Sequence, residues 1–137
     1  MRTPIIALIA LLWGWSATGF AEVAEVDNKD LRKLIEEGVP VVDIRTRGEW
    51  HETGVIEGSH LLTFFDEQGR YDVAGWLAEL EKIAKPDDRI AVICLVGTRS
   101  MMLTHFLDTK AGYTNMINVT RGIGSWIQDG HPTVPHP

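Results

Sequence analysis

Apolar and polar positions along the chain fall into two rhythms. Leu31, Leu34 and Ile35 recur three and four apart, predicting a helix opened by Asp27 or Asn28 and stopped by Gly38. Val39-Pro40-Val41-Val42-Asp43-Ile44 shows no alternation, which suits a strand buried on both faces of a parallel sheet. Trp76, Leu77, Leu80, Ile83 and Ala84 return to helical spacing, and Pro86-Asp87-Asp88 closes that segment. A β-branched run, Ile90-Ala91-Val92-Ile93, follows as a second buried strand. Met102/Phe106 and Leu103/Leu107 then predict a helix from Ser100 to Lys110, Met116 to Val119 a further strand, and Ile123 to Asp129 a last helix ended by Gly130 and Pro132. Helices alternating with short apolar strands predict an α/β domain of three layers, a central, mainly parallel sheet flanked by helices.

Composition changes the picture at the N-terminus. Arg2 precedes an apolar run from Ile5 to Trp13, with small residues at Gly19 and Ala21, the make-up of a secretory signal peptide over residues 1–21. Its apolar stretch is short for a membrane span. Removing 21 of the 137 residues leaves 116, residues 22–137, enough for one domain with its own core. The mature segment carries 12 Lys and Arg against 19 Asp and Glu, a balance of −7. An acidic surface offers phosphate backbones no general attraction, so nucleic acid is excluded as the expected partner. The five histidines lack the paired spacing of metal ligands and have no partner cysteines, so neither a metal nor another cofactor is expected.

Cys94 is the only cysteine, and it stands where the Ile90–Ile93 strand gives way to a loop and a helix. In an exported, periplasmic protein an unpaired thiol is open to oxidation, so its presence suggests use as a nucleophile. Leu95, Val96, Gly97, Thr98, Arg99 and Ser100 would curl above a helix N-terminus, whose free N–H groups and dipole favour an anion. Gly97 permits the tight turn, Arg99 adds positive charge, and Ser100 can cap the helix.

A second charged cluster, Asp43 to Trp50, follows the first buried strand and reads as a short loop supporting the one that carries Cys94. Asp43 is expected to accept backbone N–H bonds, Arg45 to pair with Glu49, and Trp50 to pack on the core. His60 reads as a polar residue at a strand start.

In order, Asp43-x-Arg45, Glu49-Trp50, Gly54, Ile56-x-Gly58-Ser59, Cys94-x-x-Gly97-x-Arg99-Ser100, Gly112-Tyr113 and Gly122-Ile123-x-x-Trp126 resemble a single rhodanese domain. The resemblance implies a parallel-sheet α/β fold and a sulfurtransferase of thiosulfate sulfurtransferase type. In such a domain Cys94 would carry sulfur as a persulfide cradled by the N–H groups from Leu95 to Ser100. The partners implied are a small sulfur-containing anion such as thiosulfate as donor, and cyanide, a thiol or a protein as acceptor. The four residues between Cys94 and Arg99 resemble the sulfur-handling members; phosphatase and arsenate-reductase relatives have one more.

Three positions depart from the pattern. Leu95 stands where many members have a basic residue, Val55 replaces a histidine, and Arg121 precedes Gly122 where paired glycines are usual. Arg121 is read as either a solvated loop charge or a replacement cation at the pocket rim. Leu95 favours a second reading of the chain, a sulfane-sulfur carrier or interaction module with little turnover.

Overall fold

In the computed structural model of the protein, residues 22–137 are described. The expected signal peptide lies outside them. Ten elements follow in order: β1 (Ala24–Val26), α1 (Asn28–Glu36), β2 (Val41–Asp43), α2 (Arg47–Thr53), β3 (His60–Leu61), α3 (Val73–Glu81), β4 (Ile90–Ile93), α4 (Thr98–Lys110), β5 (Met116–Val119) and α5 (Gly122–Gln128). The strands form one sheet in the order β1-β5-β4-β2-β3, and every pairing is parallel. The sheet and its two helical faces are the expected architecture.

Local chemistry sets the helix boundaries. Asp27 caps α1 by accepting the Asp30 N–H at 2.9 Å, and Asp72 caps α3 through the Gly75 N–H at 3.1 Å. Both end the orphaned first turn that a helix otherwise exposes. Gly38, at φ +79°, supplies the left-handed residue that turns the chain from α1 towards β2.

The three central strands, β2, β4 and β5, divide their side chains between two cores. Val42, Ile44, Ile90, Val92, Cys94 and Met116 pack on one face with Leu80 of α3 and Leu103 and Leu107 of α4. Val41, Ala91, Ile93, Ile117 and Val119 pack on the other with Leu31 and Leu34 of α1 and Ile123 and Trp126 of α5. This period of two decides the site, because it turns Cys94 towards the face that α4 covers.

The segment after β2 differs from the expected loop. Residues Arg47–Thr53 form a helix, closed at its start by a capping box in which the Thr46 side chain accepts the Glu49 N–H and the Glu49 carboxylate accepts the Thr46 N–H. His60 opens β3, as expected, with its side chain exposed.

Candidate functional site

The carboxyl ends of β2, β4 and β5 deliver three loops to one end of the sheet, and the β4 loop carries Cys94. Gly97, at φ +94°, reverses that loop so that α4 begins at Thr98, two residues before the expected start. Ser100 is therefore not the cap. Gly97 occupies the capping position without a side chain, and the Cys94 sulfur takes over the role: its Sγ accepts the Gly97 N–H at 3.1 Å and the Ser100 N–H at 3.4 Å. The Ser100 hydroxyl lies 3.3 Å from Sγ and 3.2 Å from the Gly97 carbonyl. Two backbone donors aimed at one sulfur favour negative charge there. Cys94 itself is fully buried, and Val96 and Thr98 are the exposed members of its loop.

The loop is held from three sides. From α5, the N–H groups of Ile123 and Gly124 donate to the carbonyls of Cys94 and Leu95, both at 2.9 Å. This approach leaves no room for a side chain at Gly122, whose Cβ would strike those same two carbonyl oxygens. From β5, the buried Asn118 amide donates to Glu25 at 2.8 Å and reaches the Gly97 carbonyl at 3.5 Å. Arg121 adopts the left-handed conformation, φ 68°, the only non-glycine among the described residues to do so. Its backbone nitrogen would lie 2.8 Å from a Cβ at Gly97, while its side chain is exposed. Sequence reasoning passed over Glu25 and Asn118 because a lone polar residue in or beside an apolar strand carries no pattern of its own.

The third support corrects the expected pairing of Arg45 with Glu49. Arg45, fully buried, turns its guanidinium onto Asp43 instead, with contacts of 2.8 to 3.2 Å, and donates to the carbonyl of Gly54 and to Thr53 Oγ1. Its contact with Glu49 is to the backbone carbonyl alone, at 3.4 Å. The Glu49 carboxylate is taken by Arg99, through bonds of 2.9 and 2.6 Å. A local i,i+4 pairing thus loses to one across fifty residues of chain. Asp43 does accept a backbone N–H, that of Arg45, at 3.1 Å, and Trp50 is buried as expected.

Electrostatics follow this geometry. Burial works to raise the Glu49 carboxyl, but the Arg99 side chain, the Thr46 N–H and hydroxyl, and the Arg99 charge overcome it and bring the group down to about 2. The hydrogen bonds that Arg99 donates to Glu49 in turn hold the guanidinium above its ordinary value, against the effect of burial. The pair is ionised throughout the physiological range.

Residues 27–129 match the family model described as Rhodanese-like domain. The chain is 30% identical over 122 residues to thiosulfate sulfurtransferase 18 of Arabidopsis thaliana, covering 85% of this chain and 88% of that protein. Among solved structures it is similar to a rhodanese-related protein from Thermoplasma volcanium, with a TM-score of 0.62, 30% identity, and coverage of 82% of this chain and 99% of that one. It also shares its fold with the polysulfide-sulfur transferase of Wolinella succinogenes, with a TM-score of 0.64, 20% identity, and coverage of 85% and 82%. With a family model matching residues 27–129 and a thiosulfate sulfurtransferase among the relatives it resembles, the chain belongs to the rhodanese-like domain family.

Proposed function

We propose that the protein is a sulfurtransferase that carries sulfane sulfur on Cys94. The observation that carries this reading is the pair of N–H groups, from Gly97 and Ser100, converging on Sγ at the head of α4. A thiolate there attacks the outer sulfur of a donor such as thiosulfate. A bond forms from Sγ to that sulfur, the donor's S–S bond breaks, and sulfite leaves with the electron pair. The persulfide anion rests against the loop from Leu95 to Ser100, where backbone dipoles hold it without reorganising. Cyanide or a thiol then takes the outer sulfur and restores the thiolate. The name of the Arabidopsis relative supports this donor at the level of chemical class.

Asp43 and Arg45 support the site from beneath rather than touching it. Their buried pair fixes the start of α2, and α2 presents Glu49 to Arg99. The work of Arg99 is accordingly to close the loop against α2.

Intact-mass measurement of the purified protein after treatment with thiosulfate tests the reading directly. A gain of one sulfur, lost on adding cyanide with formation of thiocyanate, is expected, and an unchanged mass would refute it. Full burial of Cys94 favours a second reading, a low-turnover carrier that hands sulfur only to a protein. Its mark would be a stable persulfide that small acceptors fail to discharge.

A further inference from the structure

Asn118 is the one polar side chain of β5, and packing does not explain it. It stands between Ile117 and Val119, is 2% accessible, and leaves its Oδ1 without a partner. An apolar residue would fill that position with no orphaned acceptor, so the amide is there for its N–H groups. Both of them have takers. Glu25 lies directly opposite in the parallel register of β1 and β5, and its Oε2 accepts from Nδ2 at 2.8 Å and from the Thr120 hydroxyl at 2.9 Å. The Gly97 carbonyl lies 3.5 Å from the same nitrogen. Turned over, the amide would set Oδ1 against a carboxylate and a carbonyl, three acceptors together, so Glu25 fixes which way it faces.

The Gly97 carbonyl connects this pair to the sulfur. A carbonyl oxygen has two lone pairs, and three donors surround this one: the Met101 N–H at 3.1 Å, the Ser100 hydroxyl at 3.2 Å and the Asn118 amide. The buried Ser100 hydroxyl has one proton and a second acceptor within reach, Cys94 Sγ at 3.3 Å. With the amide and the Met101 N–H on the carbonyl, the hydroxyl proton goes to Sγ. Without the amide, it returns to the carbonyl. In the first arrangement the sulfur faces three donors, the N–H groups of Gly97 and Ser100 and the Ser100 hydroxyl.

Resting on the reading of Cys94 as the sulfur carrier, we propose that Glu25 and Asn118 are positioning residues for the transfer. Held by Glu25, the Asn118 amide occupies the Gly97 carbonyl and turns the Ser100 hydroxyl onto Sγ. Donation there favours the thiolate that attacks the donor, and favours it again as the leaving group. In discharge to cyanide, a bond forms from carbon to the outer sulfur, the Sγ–S bond breaks, and its electron pair stays on Sγ. Thiocyanate departs and no proton moves.

The test is a double-mutant cycle between Asn118→Leu and Ser100→Ala, with thermal unfolding confirming that each variant is folded. The first readout is the pH profile of Cys94 alkylation by iodoacetamide, whose midpoint, unlike its rate, is indifferent to access. Each substitution should raise that midpoint by about one pH unit, and the double variant should go no further. The second is discharge of the preloaded persulfide to cyanide, expected to slow by roughly tenfold in each single variant and no more in the double. Glu25→Ala should shift both readouts in the same direction, and Glu25→Gln, which keeps an acceptor for the amide, should restore them. Additive effects of Asn118→Leu and Ser100→Ala, a profile that Asn118→Leu leaves unmoved, or a Glu25→Gln protein no different from Glu25→Ala would overturn the proposal. If the unaltered protein takes up no sulfur, the sulfurtransferase reading falls instead, and the alkylation profiles still decide whether Asn118 acts on Sγ through Ser100.

Discussion

Glu49 and Arg99 join α2 to α4 through two hydrogen bonds of 2.6 and 2.9 Å, so the loop that carries Cys94 is latched by a residue from a different sheet crossing. The same carboxylate closes the capping box of α2. One side chain thereby fixes a helix start and a loop position together. Arg99→Ala should loosen the loop, lowering the rate of Cys94 loading by roughly tenfold to a hundredfold, as expected for misplacement near a reacting atom. Single-turnover kinetics would measure it.

The latch gives acid stability a defined window. The Glu49 carboxyl lies at about 2 in the fold against 4.5 as the ordinary value. A depressed carboxyl contributes stability in full above its unfolded value and loses it as pH falls through the folded one. Stability should therefore fall between about pH 4.5 and 2, and the Glu49→Gln protein should show a shallower fall. Chemical denaturation across that range would reveal equal slopes if the latch carries no such linkage.

Asp43→Ala should act mainly on stability. It leaves the Arg45 guanidinium, fully buried, without its carboxylate, and breaking one side of a buried pair costs about 3–5 kcal/mol. Thermal unfolding would register a large drop. An unchanged melting temperature with lost activity would instead put Asp43 in the chemistry.

Arg121→Gly should stabilise the fold by about 1 kcal/mol, because a non-glycine residue pays roughly that much for the left-handed conformation it holds here. Gly97→Val points the other way. At φ +94°, with the Arg121 nitrogen 2.8 Å from any added Cβ, the loop cannot keep its shape. The variant should fail to acquire sulfur even where it remains folded, which circular dichroism and intact mass together would establish.

The elements that were legible in advance have bounded apolar runs. Ile90–Ile93 and Met116–Val119 came out residue for residue, since turn residues flank each and both faces are buried. Helix α2 gives no such signal, because seven residues with one buried side chain, Trp50, cannot display a helical period. Its signal lay elsewhere, in Thr46 and Glu49 three apart, the two halves of a capping box. β1, of three residues with none buried, is too short to separate from loop, and β3, of two residues, is marked in the sequence only by the polar His60 at its start. The sequence points to Ser100 as a cap because the helical pattern becomes readable only there, two residues after α4 begins, and to an Arg45–Glu49 pair because four-residue spacing suggests a local partner. The correct partner could come only from the parallel order that brings β2 beside β4.

The capping of α4 gives its sulfur a second duty. With no side chain at Gly97, the helix head is completed by Sγ itself, through the N–H groups of Gly97 and Ser100. Whatever bonds to that sulfur also alters how a thirteen-residue helix begins. Alkylation of Cys94 would weaken the sulfur as an acceptor and fray the first turn, while a persulfide would bring a second sulfur within reach of the same amides. The folded state should thus register the chemical history of its one cysteine, and amide exchange at Ser100 would serve as a reporter of cargo.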